Sequence, residues 1–242
     1  MTTVERVEKC RFMIKGIVNT FFVIDQNLKL LLPLLNDKDI YSIWDYAEGV
    51  DGVAAMRMAL YSHILSDARA IMFDTGKNVA SIHNIVSALD DNGVVSTVKA
   101  DFCKPTGVHV CGDHSPEREK LVVEAIQKED TERKTSLFSE TLNSLRHNYK
   151  RIKESELGCR VDTARSKMIS HKQVTTIEGQ RKLFDAKDFG LKFSDAKEFV
   201  QETQEIIFAA NLLLLNSSYD LGSFLGYHEK VAEVFWGKCK NT

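Results

Sequence analysis

Three observations predict an all-α protein. Only 3 prolines and 13 glycines interrupt 242 residues, so long stretches carry no helix breaker. Within them apolar residues return at three- and four-residue steps, the period of one helix face. A long charged stretch beginning at Glu117 is rich in Glu, Lys, Arg and Gln, all good helix formers.

The first element runs from about Val4 to Leu32, where Val7, Phe12, Ile14, Ile17, Val18, Phe21, Ile24, Leu28, Leu31 and Leu32 form a wide apolar face that Pro33 is expected to end. Lys15, Asp25, Gln26 and Lys29 interrupt its apolar run, which suits a buried helix better than a bilayer span. A brief helix or turn covers Lys38 to Ala47, and Gly49 and Gly52 separate it from a helix over Val53 to Phe73. Gly76 and Asn78 break that helix, a shorter one spans Ser81 to Leu89, and Asp90-Asp91-Asn92-Gly93 opens a loop lasting to Pro116. The charged helix then extends to about Glu156. Gly158 ends it, and Asp162 or Thr163 offers a cap for a new helix with Arg165 near its first turn and His171 further along. Ser194 caps an amphipathic helix to Leu215, and a last helix runs from about Ser217 or Tyr219 to Trp236, with Phe224, Tyr227, Phe235 and Trp236 read as core or dimer packing. No repeat or linker divides the chain, so one helical bundle over 1–242 is expected, with 1–48 as an N-terminal extension packed on its core.

Hydrophobic residues at 43% and charged residues at 27% match a folded, soluble protein rather than a disordered or membrane class. No charged-then-apolar leader pattern opens the chain, and five cysteines are an odd number. Both point to reduced thiols in a cytoplasm. A net charge of −2 gives no global attraction to nucleic acid. A local patch does: Arg146, Lys150, Arg151, Lys153, Arg160, Arg165, Lys167 and Lys172 face only Glu154, Glu156 and Asp162.

Within that patch Arg165 and His171 stand six positions apart. Cleavage of RNA by its own 2′-hydroxyl needs a base, an acid and a positive charge on the phosphorane, roles that histidine and arginine fill near neutral pH without a metal or other cofactor. In an ideal helix six residues advance ~600°, leaving the two side chains ~120° apart. The pair works better at a helix start or when shared across a dimer. Lys167, four residues before His171, lies on the same side and can touch phosphate, Ser166 offers a hydroxyl, and Lys172 adds charge. A second pair of the same spacing, Arg57 with His63, falls inside a helix whose face carries Met56, Leu60 and Ile64, and reads as an ordinary surface pair.

The string Ala164-Arg165-Ser166-Lys167-Met168-Ile169-Ser170-His171-Lys172 resembles the Arg-x-Lys-x-x-x-His-Arg/Lys signature of the abortive-infection (AbiU-like) branch of HEPN proteins. Ala59 to Leu89, with Asp67, Asp74, Ser81 and Ile82, resembles that branch's paired helices. Ser194 to Phe199 resembles the polar start of its penultimate helix. The resemblance implies an all-helical bundle that dimerises to bring two signature segments into one cleft. It also implies metal-independent ribonuclease activity in phage defence, toxin systems or RNA processing. Arg165 would hold the phosphate and His171 would act as general base or acid. Ser166 departs from the Asn, Asp or His that follows the arginine in many active members, which keeps open an inactive RNA-binding or protein-interaction module of a defence or toxin-antitoxin pair.

Other chemistry has less support. Cys103, His109, Cys111 and His114 are all zinc-ligand types, but their spacing fits no common finger, and a chain this long folds without metal. No Gly-rich nucleotide-binding pattern or nucleophile elbow occurs. The expectation is therefore a cytoplasmic homodimer without cofactor, with RNA as substrate, a possible antitoxin or defence partner protein, and no membrane association.

Overall fold

A computed structural model describes residues 1–43, 47–105, 107, 115–170, 174–177, 180–183 and 186–239, and the statements below concern these. Helix α1 spans Thr3–Asn36, starting where Thr2 accepts from the Glu5 N–H (3.2 Å) and Glu5 accepts from the Thr2 N–H (2.7 Å). This reciprocal cap satisfies two otherwise orphaned donors. Pro33 does not end the helix as expected. It sits in the last turn, where little helix remains to be broken, and its carbonyl accepts from Asp37 N–H at 2.9 Å. By length and composition α1 could cross a bilayer. In the fold it is the central core helix, with Ile14, Ile17, Phe21 and Leu31 fully buried, each contributing roughly 1.5–3 kcal/mol relative to exposure. Phe12, expected on the same face, is exposed instead.

Helix α2 (Lys38–Ile43) leads to α3 (Ala47–Phe73). Gly49 and Gly52 lie inside α3 rather than before it, because Val53 packs with Leu34, Ile40, Ala232 and Trp236 in a small cluster that holds this end of the helix. Helix α4 (Ile82–Ala88) follows its Ser81 cap as the sequence predicts. Where a loop was expected, α5 (Asn92–Phe102) forms: Asp91 of the apparent breaker is its cap, accepting from Gly93 and Val94 N–H, and Val94, Val98 and Phe102 are buried four residues apart.

Helix α6 (Pro116–Glu154) matches its predicted span. It ends at Ser155, not Gly158. The Ser155 hydroxyl donates to Ile152 O (2.8 Å) and accepts from Gly158 N–H (3.0 Å), so it closes one helix and caps the next, α7 (Glu156–Ala164). Gly158 lies in the first turn of α7, close against the end of α6. A β-carbon there would lie 2.0 Å from Ile152 O. A π-turn, Arg165–Ser170, continues α7, and a hairpin of β1 (Val174–Ile177) and β2 (Gln180–Leu183), paired Val174 to Leu183, is a small addition to an otherwise helical chain.

Helix α8 (Phe193–Leu215) is capped from Lys192, whose N–H donates to Asp195 (3.0 Å), so Ser194 belongs to its first turn. Asn216 ends it in the left-handed region (φ 49°), a conformation asparagine tolerates. Helix α9 (Leu221–Cys239) closes the chain on α1: Trp236 Nε1 donates to Leu30 O (3.1 Å) and His228 bonds the buried Asp25 at 2.8 Å. Of the aromatic residues expected here as packing, Trp236 is buried while Phe224, Tyr227 and Phe235 are largely exposed. The architecture is an all-α bundle in which α1 lies against α3, α8 and α9.

Gly158→Ala should lower unfolding free energy by about 3 kcal/mol, the upper end of overpacking costs, because its methyl meets a backbone carbonyl. A denaturation midpoint equal to wild type would show that the Ser155 junction opens freely. Asp101 takes a bond from Lys104 (2.6 Å) and another from Arg11 (2.8 Å), which also donates to Leu214 O. Those two cations, Lys104 first, hold its carboxyl below the usual range. The stabilisation is therefore present above the unfolded carboxylate pKa and lost as pH falls through the folded one. Wild type should exceed Asp101→Asn in thermal stability at neutral pH and converge with it as pH falls through the lowered carboxyl pKa of the folded state.

Candidate functional site

Arg165 opens the π-turn at the carboxyl end of α7, not the first turn of a new helix. Neither predicted cap is free to start one. Thr163 spends its hydroxyl on Cys159 O (2.8 Å), one turn back within α7, and the Asp162 carboxylate reaches across to Arg69 on α3. A helix carboxyl end favours a cation, so the position suits an arginine.

The guanidinium of Arg69 lies between two carboxylates. Its Nε donates to Asp162 Oδ1 at 2.6 Å and its Nη1 pairs with Asp74 Oδ1, just past the end of α3. Asp74 is fixed from a second direction, since its backbone carbonyl accepts from the buried Ser81 hydroxyl at 2.6 Å. Arg165 approaches the other oxygen of the same carboxylate: Nη2 to Asp74 Oδ2 is 4.0 Å. Its Nε is buried with no hydrogen-bond partner. Arg165 is thus oriented by a carboxylate whose close pairing belongs to Arg69, leaving donors for an incoming anion.

Ser166 and Lys167 follow on the π-turn and are half-buried. His171 and Lys172 lie outside the described residues, as do His109, Cys111 and His114 of the cysteine–histidine segment. Cys103 is half-buried at the end of α5 and accepts from Thr135 at 3.6 Å. Among the described residues no group of three metal-ligand side chains assembles. Arg57 and His63 have separate partners: Arg57 lies 5.0 Å over the Phe193 ring and His63 pairs with Asp67 at 3.0 Å.

The basic patch is narrower than the sequence suggests. Arg146 is bonded to Leu89 O and lies 3.7 Å from Asp90, Arg151 is 3.4 Å from Glu202, and Arg160 donates to Gly190 O (2.9 Å) with Asp195 at 3.6 Å. These arginines join elements. Sequence reasoning missed the structural parts of Arg69 and Asp162, because nothing in their local pattern tells that α3 and α7 meet.

A family model described as AbiU2 (HEPN_AbiU2) matches residues 48–235. The chain belongs to this family of HEPN proteins. The AbiU2 match runs from the first turn of α3 to within four residues of the end of α9 and takes in Arg69, Asp74, Asp162 and Arg165. No curated protein and no solved structure matches the chain.

Replacing Arg69 by Met should cost about 2 kcal/mol of stability, because two partly shielded carboxylates lose a charged hydrogen-bonding partner. Urea unfolding measures it, and a variant as stable as wild type would deny Arg69 the role of tying α3 to α7.

Proposed function

We propose that this AbiU2-family protein is a metal-independent endoribonuclease of a phage-defence or toxin type, working in the cytoplasm as a homodimer. The observation that carries the reading is the state of Arg165: half-buried, oriented by Asp74 at 4.0 Å, and without a closer ion pair among the described residues, because Arg69 takes that carboxylate. A phosphate can therefore compete for its guanidinium. Family membership supports the same reading, since the matched span contains the whole segment from Arg165 to Lys172.

In this mechanism the RNA 2′-hydroxyl attacks the adjacent phosphorus, its proton passing to a histidine base, and the 5′-oxygen leaves with a proton from a histidine acid. Arg165 binds the non-bridging oxygens and stabilises the charge that grows on them. His171 supplies base and acid, one from each subunit if two signature segments share a cleft. Ser166, Lys167 and Lys172 contact the strand. The products are a 2′,3′-cyclic phosphate and a 5′-hydroxyl, with no group consumed. The Ser166 departure keeps a second reading, a helical RNA-binding or partner-binding module without turnover.

Purified protein incubated with single-stranded RNA in the presence of a chelator should yield cyclic-phosphate ends. Arg165→Ala and His171→Ala should each slow cleavage ~10²–10⁴-fold. RNA bound but uncut by wild type would favour the module. Full cleavage by both variants would remove Arg165 and His171 from the chemistry.

A further inference from the structure

A second group of cationic and hydrogen-bonding side chains stands on α4 and α6, linked to Arg165 through the chain around Asp74. His83, in the first turn of α4, shares a hydrogen bond with the Tyr149 hydroxyl of α6 (Nδ1 to OH 2.9 Å). Lys153, one turn further along α6, holds its ammonium 5.8 Å from the centre of the Tyr149 ring. Tyr149 is buried, and its ring lies 6.4 Å from that of Phe73, the residue before Asp74. From the other direction Ser81, two residues before His83, donates to Asp74 O. The His83 group and the Arg165 guanidinium therefore meet one anchored stretch of chain, the first through Tyr149 against Phe73 and the second at Asp74.

The charge around this group is one-sided. Lys150 and Lys153 are exposed and share a face of α6 with Arg146, a row about 10 Å long at 1.5 Å per residue. Helix α4 contributes no acidic residue. Glu154 is turned about 100° from Lys153 around α6, and Asp90 stands at the far end of the row beside Arg146. Among the described residues no carboxylate forms an ion pair with either lysine; Glu202 of α8, which reaches this stretch of α6, pairs with Arg151.

We infer that His83, Lys150 and Lys153 form a subsite for backbone phosphates of the single-stranded RNA that reaches Arg165. An acidic protein surface would need only the lysines. A hydrogen-bonding imidazole beside two exposed ammonium groups, linked through Phe73 and Asp74 to the arginine proposed to hold phosphate, fits successive phosphates of one strand better. Burial first, and then Lys153, push the His83 imidazole below its usual range, so near neutral pH it enters as a hydrogen-bonding group and not as a charge. The assignment of RNA rests on the proposed ribonuclease reading, but the subsite itself can be tested without cleavage.

The test measures binding of a short fluorescent single-stranded RNA by anisotropy at several salt concentrations, and its cleavage at limiting and saturating RNA. It uses wild type, Lys150→Ala/Lys153→Ala, His83→Ala and, as control, Lys128→Ala on the amino-terminal half of α6, each first checked for an unchanged melting curve. Loss of the two lysines should weaken binding roughly 5–30-fold and flatten the salt dependence by about 0.7 per lost contact. His83→Ala should weaken it less, and the cleavage defect should fall on KM more than on kcat. A wild type that cleaves, with KM and salt dependence unchanged in the double variant, overturns the subsite and leaves the ribonuclease standing. A wild type that binds without cutting, and loses binding in the double variant, supports the subsite and overturns the ribonuclease. Absence of RNA binding by wild type overturns both.

Discussion

Two carboxylates from different parts of the chain converge on one guanidinium, and the geometry of the site depends on this. Arg69 projects from α3, Asp74 lies just beyond that helix, and Asp162 reaches over from α7. Because Asp74 is also held through its carbonyl by Ser81, the pairing fixes α7 against an already anchored point. Arg165 takes its place from α7. Removing a carboxylate partner from a shielded arginine is costlier than removing an exposed surface pair, so this cross-link is energetically distinct from an exposed pair such as Lys120–Glu124 of α6.

The same arrangement bears on how a protein with a net charge of −2 would attract the RNA proposed as its substrate. Arginines of the basic segment are largely committed to joining elements, as Arg146, Arg151 and Arg160 illustrate. Lysines 150 and 153 remain exposed. The fork of arginine suits bidentate pairing to carboxylates and carbonyls, whereas a lysine ammonium is a mobile point charge. A division of labour between rigid tie and mobile contact therefore follows from the residue types.

Much of this was legible in the sequence. Helical periodicity gave α1, α6 and α8 almost to their ends, and Ser81 announced α4. The misreadings share one cause: local punctuation was taken at face value where tertiary packing decides. Asp91 and Gly93 looked like a stop and are the start of α5, whose buried Val94, Val98 and Phe102 were a readable signal. Gly158 looked like a terminator, but its lack of a side chain serves close contact with Ile152 while Ser155 makes the turn. The hairpin had a cue in Val174-Thr175-Thr176-Ile177, β-branched throughout. At the site, Arg165 was visible through its signature, but its partners were not. A contact between residues 69 and 162 has no local trace.

The family match begins at residue 48, yet the middle of the core belongs to α1, which ends at Asn36. Against it lie the apolar faces of α3, α8 and α9. A relative lacking this helix would leave the faces packed on it, among them Phe208 of α8, whose ring lies 5.4 Å from that of Phe21, open to water, a surface that favours association or aggregation. Such a protein must cover those faces with another segment or another subunit. Length at the amino terminus and assembly state would then be expected to vary together among these proteins.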